Sequence, residues 1–182
     1  MALITYKWSI EEWHELVNIG LLEGKSVEFL EGEIVEVSPE GIEHGYTNRS
    51  VVRYLMDLLA QKAEVIQAQP ITLDNSEPEP DVTIARLPES IYKLHHPYPQ
   101  DIYWLIEVSN RTLKADLEQK IITYARNGIP EYWVIDLVNK KLIVHTQLQN
   151  DRYTQIVEYK QGTVSPLAFP QVTIALDRLL LY

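Results

Sequence analysis

Apolar positions recur at helical spacing in three stretches of the chain and alternate or run together in most of the rest. Ile10, Trp13, Leu16 and Val17 fall on one helical face behind Ser9, and Glu12 completes the spacing of a capping box, which predicts a short helix stopped at Gly20. From Ser26 to Val37 the pattern shifts to Val27, Phe29, Ile34, Val35 and Val37 around Glu31-Gly32-Glu33, a hairpin turning at Gly32. Val51, Val52, Leu55, Met56, Leu58 and Leu59 return to helical spacing and predict a first long helix from about Ile42 to Lys62. Strands are then predicted over Glu64–Gln69, Ile71–Leu73, Asp81–Arg86 and Asp101–Ser109, the last almost continuously apolar and therefore central. Two proline-bearing loops, Asn75–Pro80 and Leu87–Gln100, separate them. A second long helix spans Leu113 to Arg126, with Thr112 as N-cap and Gly128 as its stop. Glu131–Leu137 reads as a buried strand, Leu142–Gln147 and Tyr153–Tyr159 pair as a hairpin, and Leu176–Tyr182 closes the chain.

This order predicts one α/β (α+β) domain over residues 1–182: a central mixed sheet flanked by helices, with additional hairpins toward the N- and C-terminal ends. A length of 182 residues suits a single domain with a full core, and 46% hydrophobic with 23% charged residues is ordinary for a globular protein. With no cysteine, disulfides, thiolate catalysis and sulfur-ligated zinc are excluded. No apolar run approaches the roughly 18 residues a membrane span needs, and the first residues lack a leader pattern, so a cytoplasmic protein is expected. A net charge of -10 disfavours nonspecific attraction to phosphate backbones, so any nucleic-acid site must be local, and it suits a site that collects metal cations.

Chemistry concentrates around Glu107. A carboxylate near the end of an apolar strand is costly unless it is paired, solvated or metal-bound. Strand alternation sets Tyr103, Leu105, Glu107 and Ser109 on one side and Ile102, Trp104, Ile106 and Val108 on the other. If the strand beginning at Asp81 pairs beside it, two acidic ligands converge at one rim, a donor set that hard divalent cations accept. The alternative for Asp81, directly after Pro80, is an Asx turn. On the following helix Asp116, Lys120 and Tyr124 share a face, which serves either this site or an exposed ion pair between Asp116 and Lys120. Other motifs carry less. His95-His96 reads as an exposed loop, Ser109 has no glycine elbow, and no glycine-rich phosphate loop is present. Trp104 and Trp133 read as core, while Trp8 and Trp13 pin the N-terminal helix.

Four ordered blocks carry a family resemblance. Pro80-Asp81, the strand Leu105-Ile-Glu107-Val-Ser, the helix from Asp116 through Lys120 and Tyr124 to Gly128, and Ile129-Pro-Glu-Tyr-Trp133-Val-Ile-Asp136 resemble the Uma-type restriction endonuclease family. Glu28, Gly32, Glu33, Ser38-Pro39 and His44 fit it as well, and the likeness runs from about Trp8 to Leu181. That family is assigned to the PD-(D/E)XK nuclease superfamily, so the resemblance implies a restriction-endonuclease-like core and Mg²⁺-dependent hydrolysis of DNA, with Mn²⁺ as an alternative ion. It implies Asp81 and Glu107 as metal ligands with the Val108 carbonyl as a third. The superfamily's lysine two residues after the glutamate is replaced here by Ser109, and the resemblance implies that Lys120 on the next helix takes over the orienting of water. Glu28, His44 and Tyr124 are supporting residues, each with a plainer alternative: a solvent-facing hairpin glutamate, a surface histidine at a helix end, and core packing. Arg49, Arg53, Arg111 and Lys114 are the local cations that could guide a DNA backbone, and pairing through the C-terminal hairpin would give a homodimer. The competing readings are a catalytically silent nuclease-like binding or regulatory protein and, more distantly, a structural oligomerisation domain.

Overall fold

The computed structural model describes residues 4–110 and 113–181, and of residues 113–117 the backbone alone. Ser9 and Glu12 form the expected capping box: Glu12 N–H donates to Ser9 Oγ at 3.2 Å and Ser9 N–H donates to Glu12 Oε2 at 2.8 Å, starting α1 (Ile10–Asn18). Trp13 is buried from this helix and stacks on Phe29, with ring centroids 5.3 Å apart. Phe29 lies on β1 (Val27–Leu30), which pairs antiparallel with β2 (Glu33–Glu36). The turn between them needs Gly32: its φ is +76°, and a Cβ there would meet Lys7 Cβ at 3.0 Å and the Trp8 carbonyl oxygen at 3.2 Å.

The hairpin is a two-stranded sheet of its own. The main sheet has six strands: β3 (Glu64–Gln67), β4 (Val82–Ala85), β5 (Ile102–Ser109), β6 (Tyr132–Asp136), β7 (Lys141–Gln149) and β8 (Arg152–Tyr159), in that spatial order. Every neighbouring pair is antiparallel except β5 and β6. A parallel pair needs a crossover, and α3 (Leu113–Arg126) supplies it. With β3 at one edge of the main sheet, β8 of the C-terminal hairpin is therefore the other. Beyond it come a short pair, β9 (Thr163–Val164) with β10 (Ile174–Ala175), and α4 (Leu176–Leu180).

Each face of the sheet has its own core. On one face Val51, Leu55 and Leu59 of α2 (Ile42–Leu59) and Leu176 and Leu179 of α4 pack on Trp104, Ile106 and Trp133. On the other, Tyr124 and Ala125 of α3 pack on Leu105, Tyr132 and Val134. The two tryptophans are core residues as expected, their centroids 5.6 Å apart. Among the described residues no helix is long and apolar enough to cross a membrane.

Two local expectations need correction. Ile71–Leu73 is not a strand: Ile71 N–H donates to the Pro78 carbonyl, Thr72 N–H to Pro97 and Leu73 N–H to Ser76. Ile71 and Leu73 are buried, so the alternation in the sequence reports burial in a folded loop rather than a ladder. The faces given to Ile102 and Tyr103 are also reversed. Opposite β5, Ile84 pairs Trp104 while Ala85 pairs Ile102, leaving Tyr103 as an extra residue. This bulge turns Ile102 to the α3 side with Leu105 and packs Tyr103 against the α2 side. The predicted N-cap Thr112 lies outside the described residues.

Candidate active site

The antiparallel ladder of β4 and β5 sets Val82 opposite Ile106, which brings Asp81, one residue before Val82, to the end of β5 that carries Glu107. Val108 N–H donates to Asp81 Oδ2 at 2.6 Å, locking the carboxylate to the end of β5. From the first turns of α2, His44 Nε2 donates to the same oxygen at 3.1 Å and Asn48 Nδ2 donates to Oδ1 at 3.3 Å. Asp81 is thus fixed by three donors and is no Asx turn.

Glu107 is held from the opposite side by α3. Lys120 Nζ donates to its Oε1 at 3.1 Å and Tyr124 Oη donates to the same atom at 3.0 Å. The i, i+4 spacing of these two residues brings both to one carboxylate, while the Tyr124 ring packs edge-on against Tyr132 at 5.2 Å. Tyr124 therefore takes both roles weighed for it, core residue and site donor. Lys120 Nζ also lies 3.5 Å from Glu28 Oε2 on β1. Glu28 is buried, which removes the solvent-facing alternative. Thr123 and Arg126 of α3 bind Glu31 at the hairpin turn, at 2.7 Å and 3.6 Å, so the same helix holds the hairpin in place. Asp116, the third residue of the expected face, has a side chain outside the description.

Three carboxylates, each 5–7% exposed, gather here: Glu28 and Glu107 share Lys120, and Asp81 pairs with His44. Burial raises the Glu107 carboxyl to about 7; Asp81 and Glu28 push in the same direction and Lys120 offsets only part of the shift. Burial opposes the charge on Lys120, but the Glu107 and Glu28 carboxylates outweigh it and hold the ammonium above its ordinary value. The hydrogen bond to Asp81 raises His44 to about 9 against the opposing effect of burial. His44 Nδ1 faces Glu40 Oε2 at 3.3 Å, and Glu40, His44 and Asp81 offer one ligand atom each within 4.8 Å of one another, a spacing a metal ion could use.

The donor set suits a hard divalent cation. It consists of carboxylate oxygens, and Glu28 Oε2 is buried without a hydrogen-bond partner. Ser109 is buried at the end of β5, on the alternation shared with Glu107, and the ammonium at this carboxylate comes from Lys120 instead.

The expected DNA-guiding cations are less gathered. Arg49 and Arg53 are exposed on α2. A Cβ on Gly45 would lie 3.3 Å from Arg49 Nη1 and 3.6 Å from Glu40 Oε2, which puts Arg49 near the His44 end of the helix. Arg53 comes about two and a half turns after His44, on the opposite side of α2. Arg111 and the Lys114 side chain lie outside the described residues. Asn48 and Glu40 were missed in the sequence. Their signal was the i, i+4 spacing on either side of His44, readable once His44 is known to face Asp81.

Residues 10–177 match the family described as "Uma2: Putative restriction endonuclease". The chain belongs to the Uma2 family. Its fold is also that of a solved structure, "a putative nuclease belonging to DUF820 from Anabaena variabilis ATCC 29413", with a TM-score of 0.71 over 94% of this chain and 97% of that one. At 14% identity that likeness speaks for the fold alone. No curated protein matches the chain. Within this Uma2 chain the family match spans all of the site residues just described, from Glu28 through Tyr124.

Proposed function

We propose that the chain is a metal-dependent endonuclease that hydrolyses DNA phosphodiester bonds. In this reading Asp81, Glu107 and the Val108 carbonyl hold Mg²⁺, with Mn²⁺ as a substitute, and Lys120 orients the attacking water. The observation that carries it is the meeting of one strand-end pair of carboxylates with a lysine from the crossover helix. Bound there, a divalent cation supplies Lewis-acid polarisation of the phosphate and a more acidic bound water.

The protein's own groups have distinct tasks. Val108 N–H, His44 and Asn48 hold the Asp81 carboxylate in one orientation. Lys120, kept charged by its two carboxylates, donates hydrogen bonds and offsets negative charge developing on the phosphate; it does not take up a proton. Tyr124 fixes the Glu107 carboxylate from the same helix. Arg49, near the His44 end of α2, with Arg111 and Lys114 guides the backbone, Arg53 lying on the far side of the helix, and a homodimer joined through the β8 edge would present two such sites.

The test is cleavage of supercoiled and linear DNA with Mg²⁺ or Mn²⁺, against a chelator control. Asp81→Ala and Glu107→Gln are expected to abolish metal-dependent cleavage while remaining folded by circular dichroism. Cleavage retained by both variants overturns the mechanism. The -10 net charge favours one competing reading, a nuclease-like binding protein that does not cut. Metal-dependent stabilisation without cleavage of any DNA form would select it.

A further inference from the structure

We propose that Asn48 is a further member of the metal site, its amide nitrogen fixing Asp81 and its amide oxygen facing the cation directly or through a cation-bound water. The inference rests on the reading that Asp81 holds a divalent cation.

Asn48 follows His44 by one helical turn on α2, so both residues project from the same face toward Asp81. It is 1% exposed. Its amide cannot be turned round, because an ionised carboxylate only accepts hydrogen bonds and the group on Asp81 Oδ1 must be the nitrogen. That leaves Oδ1 on the other limb of an amide already seated against the carboxylate. This oxygen is buried and has no hydrogen-bond partner among the described residues. A buried amide oxygen is costly to leave unpaired.

The donors on the two carboxylates are engaged, Val108 N–H and His44 Nε2 on Asp81, Lys120 and Tyr124 on Glu107, while His44 Nδ1 meets Glu40 Oε2 at 3.3 Å; none of them donates to the Asn48 oxygen. An oxygen donor with no proton to receive from the protein suits a cation or the hydrogens of its hydration shell. Amide carbonyls are accepted ligands of hard divalent ions alongside carboxylates. A neutral ligand here also adds coordination without adding to the repulsion among Glu28, Asp81 and Glu107. Glu28 Oε2 from the hairpin is a second buried oxygen without a hydrogen bond in the same site, facing Lys120 only as an ion pair at 3.5 Å.

The experiment is calorimetric titration of the full-length chain with MnCl₂ in the absence of DNA, for wild type, Asn48→Ala and Asn48→Asp, with metal-free melting curves for each. Asn48→Ala is expected to weaken Mn²⁺ binding about 10- to 100-fold. Asn48→Asp restores an oxygen but cannot donate to Asp81. It is expected to bind Mn²⁺ at least as tightly as wild type and to melt lower without metal, because two carboxylates then face each other. If Asn48→Asp binds as weakly as Asn48→Ala, the amide acts only through its nitrogen on Asp81 and the inference falls. It falls equally if Asn48→Ala binds like wild type. Should Asn48→Ala not fold, Asn48→Asp against wild type still decides: equal or tighter binding supports the inference, weaker binding overturns it. Wild type that binds no Mn²⁺ removes the metal reading itself and this inference with it.

Discussion

Lys120 reaches Glu107 across 3.1 Å because the crossover from β5 to β6 doubles back over the strand it has just left. Removing the ammonium strands Glu107 and Glu28 as buried carboxylates without a counter-charge. Lys120→Ala is expected to abolish cleavage and to lower metal-free stability by about 3–5 kcal/mol. Urea unfolding measures the second effect, and Mn²⁺ should restore part of it. An unchanged urea midpoint would show that the lysine is not the site's internal cation.

Glu107 favours its proton in the folded state, at about 7 against an ordinary 4.5. The folded chain therefore binds that proton more tightly than the unfolded one. The contribution to stability is present in full below 4.5 and is lost as pH rises through about 7. Glu107→Gln keeps an acceptor for Lys120 and Tyr124 but cannot ionise. Without metal it should be more stable than wild type at pH 8, with the difference shrinking toward pH 4.5. Chemical denaturation across that range would detect the opposite slope if burial does not control this carboxyl.

Metal should reverse that penalty. At an Mn²⁺ concentration near 100 times the dissociation constant, binding adds about 2.7 kcal/mol, a rise in melting temperature of roughly 5–10 °C for a chain of this size. Asp81→Ala should show no rise. A melting temperature indifferent to Mn²⁺ and Mg²⁺ in the wild type would exclude a preformed cation site.

A second pH effect belongs to the core. His145 on β7 is buried against Tyr132 and Tyr153, and its Nδ1 lies 3.2 Å from the Tyr132 carbonyl oxygen. Burial lowers its pKa from 6.5, only partly offset by that hydrogen bond. The neutral ring supports the fold in full above pH 6.5, and the support drains away as pH falls through the folded value. His145→Gln keeps a donor for the carbonyl without titrating, so the difference in urea midpoint between wild type and variant should change below pH 6.5 and stay constant above it.

Much of this site was legible in the sequence because it rests on short-range rules. Glu107 stands out as a charge in an apolar strand, and Lys120 with Tyr124 share a helical face by spacing alone. The Uma-type motifs then joined Asp81 to them. What the pattern could not supply was pairing across the chain. Tyr103 changes face because of a bulge opposite Ile84 and Ala85, and a bulge belongs to two strands at once. Ile71 and Leu73 alternate like a strand yet bond to the loop at Pro78 and Ser76, while Thr72 between them bonds to Pro97. Glu28 was open between a supporting residue and a solvent-facing hairpin acid, and Asn48 gave no signal, since their burial depends on α3 and on Asp81.

The β1–β2 hairpin stands outside the main sheet, tethered by Glu77 N–H to the Phe29 carbonyl at 2.7 Å, by Gly32 N–H to the Asn75 carbonyl at 2.9 Å, and by the contacts of Glu31 with α3. A molecule whose hairpin has swung away would keep its six-stranded sheet and both cores, yet would lose Glu28 from the acidic cluster. Loss of metal binding on gentle heating should then run ahead of melting, with the acidic cluster disarmed at a seam before the fold gives way.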